Sequence, residues 1–222
     1  MADAAVDYLI EFIHSQSDVP AVDLDGATDL AATLRVPAPE SGRAFDDLLK
    51  VVQEGAAKAF NPTGPGYLAF VPGGGLFAAA LADFLADGTN RFVNVWNAAP
   101  VFAQIEATVV RWLCDLFDYP EDARGILTSG GSMANFSAIV TARKALLPED
   151  FLHGTLYVST QAHASLAKAA VLAGFPPRNI RQVPVTAEMR IDIDALRRMI
   201  DDDRVAGLLP FCVVASAGTT NT

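Results

Sequence analysis

Gly125-Ile-Leu-Thr-Ser-Gly-Gly-Ser132-Met-Ala-Asn135 is the stretch that decides how this chain is read. A short apolar run ends in Thr128-Ser-Gly-Gly-Ser132, and Met133, Phe136, Ile139 and Val140 follow at helical spacing. The glycines let the backbone approach a ligand closely and adopt conformations closed to other residues. A helix starting here presents unpaired N–H groups and a positive dipole end, which together bind phosphate or another oxyanion. Ser129 or Ser132 adds a hydroxyl donor. A glycine turn with a serine N-cap is the plain structural account of the same string, so the surrounding chain has to decide.

Downstream of Gly125, short β-like runs (residues 125–128, 155–159, 181–185 and 205–214) alternate with helical patterns (residues 132–146, 164–173 and 194–201). Gly174 is the expected helix stop. That alternation predicts βαβ units and a largely parallel sheet with helices on both faces, an α/β fold. Upstream, Val6, Leu9, Ile10 and Ile13 form one helical stripe, and Phe45, Leu48, Leu49, Val52, Ala56 and Ala59 another. Residues 18–42 read as extended connector. Asn61-Pro-Thr-Gly-Pro-Gly66 is a break, Pro72-Gly-Gly-Gly75 opens a further helix, and Pro100 starts a helix reaching Phe117.

Three loops follow predicted strands: residues 128–132, 160–163 and 215–222. In an open α/β sheet, loops at the carboxyl ends of parallel strands line the ligand crevice. They carry Ser-Gly-Gly-Ser132, Gln161-Ala-His163 and Ser216-Ala-Gly-Thr-Thr220-Asn221. His163 can stack on a planar ligand or hydrogen-bond a substrate. A histidine at a strand end is often structural, and Gly-Thr-Thr-Asn is a common turn; their coincidence on one edge favours a site.

Composition narrows the classes. The chain has 222 residues, 51% of them hydrophobic, enough for a sizeable core. A net charge of −10 without a Lys/Arg cluster excludes a nucleic-acid partner, because phosphate contacts need a basic face. Cys114 and Cys212 sit in apolar runs without C-x-x-C spacing and read as buried free thiols of a reducing compartment. The acidic N-terminus does not read as a signal peptide, and no apolar run reaches the roughly 18 residues of a membrane span. The expectation is a cytoplasmic protein with no membrane partner.

Five motifs in order resemble the pyridoxal-phosphate-dependent group II amino acid decarboxylases, the family of aromatic amino acid, glutamate and tyrosine decarboxylases. They are Gly66-Tyr-Leu-Ala-Phe-Val-Pro72, Trp96-Asn-Ala-Ala-Pro100 with Ile105-Glu106 and Trp112-Leu113, Thr128 to Asn135, Gln161-Ala-His163-Ala-Ser165, and Val213-Val-Ala-Ser-Ala-Gly-Thr-Thr220. The resemblance implies a fold-type I (aspartate-aminotransferase-like) large domain. Residues 1–62 would be an N-terminal helical segment wrapping a partner subunit, and residues 63–222 part of the cofactor-binding domain. It implies a homodimer with the site at its interface and pyridoxal 5'-phosphate as cofactor. Gly131 and Ser132 would hold the phosphate, and His163 would stack on the ring as the catalytic residue. Thr220 would sit beside the cofactor, and Pro72 and Gly73 near the amino acid substrate. The implied reaction is loss of the α-carboxylate as carbon dioxide.

In that family a ring-facing aspartate and a cofactor-linking lysine come after the threonine loop, beyond Thr222. None of Lys50, Lys58, Lys144 and Lys168 closes a predicted strand. The chain therefore reads as an N-terminal half, expected to be inactive alone. Competing readings are other fold-type I enzymes (aldol cleavage or sulfur transfer), a non-catalytic homologue, and a serine hydrolase, since Gly130-Gly-Ser132-Met-Ala134 nearly fits a nucleophile elbow. Gly64-Pro-Gly66-Tyr-Leu-Ala69 follows a helix and contains Pro65, which rules out dinucleotide binding. Phe70, Val71 and Leu76 lean the substrate towards an aromatic or other apolar side chain.

Overall fold

Helices dominate the first of the two units into which the chain divides, Met1–Thr89 and Asn90–Thr222. The structure, a computed structural model, describes residues 1–70 and 73–218. Helix α1 (Ala2–Ser15) carries the predicted stripe, yet Val6, Leu9, Ile10 and Ile13 remain 38% to 47% exposed. Residues 18–42 are not all extended connector: α2 (Ala27–Thr33) forms within them. Its Ala-Thr-Asp-Leu-Ala-Ala-Thr run has ample helix propensity, Asp29 favours the first turn, and Gly26 at φ 72° supplies the left-handed entry. Helix α3 (Phe45–Ala57) follows. The chain then returns beside its start, with Asn61 N–H donating to the Ala21 carbonyl and Lys58 Nζ bonded to Asp23 Oδ2 at 2.8 Å. A Cβ at Gly64 would lie 2.5 Å from Asn61 Nδ2, so any larger residue in this turn would have to displace the Asn61 side chain. Helix α4 (Phe77–Thr89) closes the unit.

In the second unit, α5 (Pro100–Leu116) begins with proline at its first turn, where the missing N–H costs nothing. Arg111 Nη1 and Nη2 donate to the Pro120 and Tyr119 carbonyls and so pin the following loop. The predicted strand at residues 125–128 is not present. Ile126 and Leu127 are exposed, and no described strand supplies the ladder that turns an extended segment into a strand.

The remaining alternation is α6 (Gly131–Leu146), β1 (Gly154–Ser159), α7 (Ser165–Leu172), β2 (Ile180–Val183), α8 (Ile193–Val205) and β3 (Leu209–Val214). The strands are parallel in the order β2-β1-β3. Side chains of β1 alternate between two buried faces. Leu156 and Val158 pack with Ile139 of α6 and Leu166, Ala169 and Ala170 of α7, while Tyr157 packs with Val183, Ala195 and Leu196 towards α8. Beneath Tyr157 lies a buried polar network. Its hydroxyl donates to Asp203 Oδ2 at 2.7 Å, and Arg181 Nε donates to the same oxygen at 2.9 Å. The expected strand from residue 205 starts later, because α8 runs through Val205 and ends at Gly207, which adopts φ 76°. Cys114 and Cys212 are unpaired and half-buried rather than buried. Among the described residues no helix is long and apolar enough to cross a membrane. This is a parallel α/β layer, preceded in sequence by helices, as the resemblance to a fold-type I large domain leads one to expect.

Candidate functional site

Because β1 and β3 are adjacent and parallel, their carboxyl ends share one edge. A cavity of about 360 Å³ lies there, with Ser159, Gln161, Arg190, Ala215 and Ser216 in its wall. The second turn of α6 is tied to the start of α7 next to this edge, since Asn135 Nδ2 donates to Ser165 Oγ at 2.9 Å.

The α6 N-terminus is open. Gly130 takes φ 155°, Gly131 and Ser132 are the first two helical residues, and no side chain caps them. The Met133 and Ala134 N–H groups both turn to the Gly130 carbonyl, and Thr128 Oγ1 donates to that oxygen at 3.0 Å. Gly131 and Ser132 are exposed, and a Cβ on Gly131 would meet nothing within 4 Å. N–H groups, a serine hydroxyl and the positive end of a 16-residue helix are the donor set an isolated phosphate needs. The loop follows an unpaired segment and not the strand expected of it, so its position rests on the packing of α6 against α7.

His163 sits on the loop after β1 with its imidazole held from behind. Ser165 N–H donates to Nδ1 at 3.2 Å, and Ser165 Oγ lies 2.7 Å from the same nitrogen. Ser165 is only 4% exposed. Residue spacing did not single out Asn135 or Ser165. The available signal was a pair of small polar residues where α6 and α7 present otherwise apolar faces. His163 Nδ1 engages Ser165, and among the described residues neither ring nitrogen is hydrogen-bonded to Ser132, the contact a serine-hydrolase pair would need.

The other expected residues divide. Gly73 is exposed ahead of α4 in the first unit, whereas Pro72 and Thr220 lie outside the described residues. Lys58 is committed to Asp23, and Lys50 faces Glu54 at 3.8 Å. Lys144 occupies the last turn of α6, about 18 Å along the helix from Ser132 at 1.5 Å per residue. Lys168 borders an apolar groove with Val171, Leu172 and Ile180.

Residues 29–222 match the family model described as the pyridoxal-dependent decarboxylase conserved domain. An aromatic-L-amino-acid decarboxylase of Bacillus atrophaeus is 36% identical, over 98% of this chain and 45% of the relative. Tryptophan decarboxylase 1 of Oryza sativa subsp. japonica is 28% identical, over 98% of this chain and 46% of the relative. The crystal structure of Oryza sativa TDC with PLP and tryptamine aligns with TM-score 0.88 at 27% identity, covering 99% of this chain and 48% of that one. Catharanthus roseus tryptophan decarboxylase in complex with L-tryptophan aligns with TM-score 0.88 at 27% identity, over 99% and 50%. The chain thus spans about half the length of the relatives it matches. With the family model matching residues 29–222, the chain belongs to the pyridoxal-dependent decarboxylase family.

Proposed function

We propose that this chain is part of an enzyme that removes the α-carboxylate of an aromatic L-amino acid with pyridoxal 5'-phosphate, releasing the amine and carbon dioxide. The observation that carries the reading is the open, glycine-flanked start of α6 tied to the His163 loop on one sheet edge. When bound, the cofactor supplies an electron-accepting ring for the pair left by the departing carboxylate. The chain's own residues do the positioning. Gly131 and Ser132 would hold the phosphate through N–H and hydroxyl donors, and His163 would lie against the ring and donate a hydrogen bond. On the same reading Thr220 would serve the cofactor, and Pro72 and Gly73 the substrate. The aromatic preference is supported by the named activities of the relatives and by the apolar Phe70 and Leu76.

Lys50, Lys58, Lys144 and Lys168 are not assigned as the covalent anchor, because two are ion-paired and two lie away from the phosphate loop. On that reading, the 222-residue polypeptide by itself releases no carbon dioxide, and borohydride trapping yields no single stoichiometric lysine adduct. The enzyme is a homodimer in which residues 1–62 wrap the partner, a reading supported by the uncovered stripes of α1 and α3. Unpaired Cys114 and Cys212 accord with a cytoplasmic location.

Carbon dioxide release from L-tryptophan, L-tyrosine, L-phenylalanine and L-glutamate tests the assignment. The enzyme carrying this sequence should favour the aromatic substrates, and His163→Phe should lower turnover at least about 100-fold while folding persists. Preference for glutamate would overturn the substrate class. Undiminished turnover in the folded variant would remove His163 from the chemistry.

A further inference from the structure

We infer that Asn135 and Ser165 form a directional hydrogen-bond relay that sets the tautomer and orientation of His163. The direction is anchored by the main chain. Ser165 N–H donates to His163 Nδ1 at 3.2 Å, and a backbone amide cannot reverse its role, so in this arrangement Nδ1 offers a lone pair, a preference this longer contact leaves for the hydroxyl to reinforce. The Ser165 hydroxyl, 2.7 Å from the same nitrogen, then has to donate as well. Its oxygen is left to accept, and Asn135 Nδ2 fills that role from 2.9 Å. The chain of donors runs Asn135 to Ser165 to Nδ1, which puts the ring proton on Nε2.

Burial argues that this arrangement has a purpose. Ser165 is 4% exposed and does not cap its own helix, so its hydroxyl is satisfied only through this relay. Asn135 is half-buried on α6 one turn beyond Ser132, in the seam where Ile139 and Leu166 otherwise meet. Placing two polar side chains in an apolar helix seam costs stability unless they are paired. Here the pairing links the helix that carries the phosphate loop to the residue behind the imidazole. Orientation of His163 and placement of the phosphate are thereby set by the same helix. Asn135 and Ser165 are positioning residues, acting through His163, and the inference rests on His163 being the site histidine.

The test uses the enzyme carrying this sequence with ¹⁵N-labelled histidine, its His163 signals assigned by their loss in His163→Phe. Long-range ¹H–¹⁵N correlation, with and without cofactor, should show Nε2 protonated and Nδ1 bare. Asn135→Asp keeps the shape but replaces the donor by an acceptor, so the Ser165 proton turns away and a population protonated at Nδ1 should appear. Ser165→Ala keeps the 3.2 Å amide contact but loses the 2.7 Å hydroxyl donor, so the Nε2 preference should weaken, with a minor population protonated at Nδ1. Its kcat should fall about tenfold with KM and cofactor affinity unchanged, by analogy with metal-bound histidines that lose an outer hydrogen-bond partner. Ser165→Thr, which retains the hydroxyl, should restore both readouts. Protonation at Nδ1 in the parent enzyme, or an unaltered tautomer in both Asn135→Asp and Ser165→Ala, would overturn the relay. Tautomer shifts as expected with full turnover in His163→Phe would instead refute the role of His163, and with it the catalytic purpose of the relay.

Discussion

The β1-β2-β3 layer and the helices of the first unit carry equally clear apolar patterns, but only one of them closes within its unit. Leu156, Tyr157 and Phe175 are at most 2% exposed, and α6, α7 and α8 cover both sheet faces. In α1, α2, α3 and α4 no residue is buried, and Leu9, Ile10, Leu48 and Val52 remain open to solvent. A parallel sheet obtains its covering helices from its own crossover connections, so sequence order alone delivers the partner. An amphipathic helix only states that one face must be covered. What covers it is decided elsewhere, and for this chain we assign that role to a second subunit.

The contrast is most directly broken at Leu156. Leu156→Ala should cost about 4 kcal/mol, because the residue is fully buried between helices that cannot collapse onto the gap. Urea unfolding of the enzyme reads this, and a loss below about 1 kcal/mol would mean that the sheet layer is no more closed than the helices. Arg181→Ala comes next, at about 3 kcal/mol, since it strands the buried Asp203 carboxylate while its own guanidinium is partly solvated. Ser132→Asp should leave both regions folded and weaken pyridoxal 5'-phosphate binding about 100-fold, or about 2.8 kcal/mol, through like-charge repulsion. Unchanged affinity in a cofactor titration would remove the phosphate loop from the site.

The same network gives the sheet layer a pH signature carried by buried groups, whereas the bonded Asp23–Lys58 pair of the helical unit, with Asp23 held low and Lys58 held high, is screened by solvent. Hydrogen bonds from Arg181, and then from Tyr157, hold the Asp203 carboxyl below the usual carboxylate range. A lowered carboxyl contributes stability above its unfolded pKa of about 3.9 and loses it as pH falls through the folded value. Burial, reinforced by Asp203, pushes the Tyr157 hydroxyl up to about 12. Its contribution is therefore intact below the unfolded pKa of about 10 and fades as pH rises towards 12. Asp203→Asn should flatten the acid limb of the unfolding midpoint against pH, and Tyr157→Phe the alkaline limb. The smallest effect is expected at Leu9→Ala, under about 1 kcal/mol in unfolding at low protein concentration. If α1 packs on a second subunit, the same variant should raise the dimer dissociation constant in sedimentation, and an unchanged constant would count against the wrapping role.

Much of this architecture was readable from residue order. The short β-like run of β1, the glycine stop at Gly174 and the start at Pro100 are local features, written in propensity and turn chemistry. Gly130, Gly131 and Ser132 announced an uncapped helix start, because a glycine-flanked turn needs no distant partner to be open. Tertiary structure decided the rest. Residues 125–128 have strand composition but no described ladder, since a strand exists only with a neighbour to bond. Residues 205–208 read as strand, yet the helix holds them until Gly207 permits the left-handed turn. Above all, Asn135 and Ser165 stand 30 residues apart and mean little singly. Only the packing of α6 against α7 brings them into line behind His163, because hydrogen-bond direction depends on which donors face one nitrogen in space.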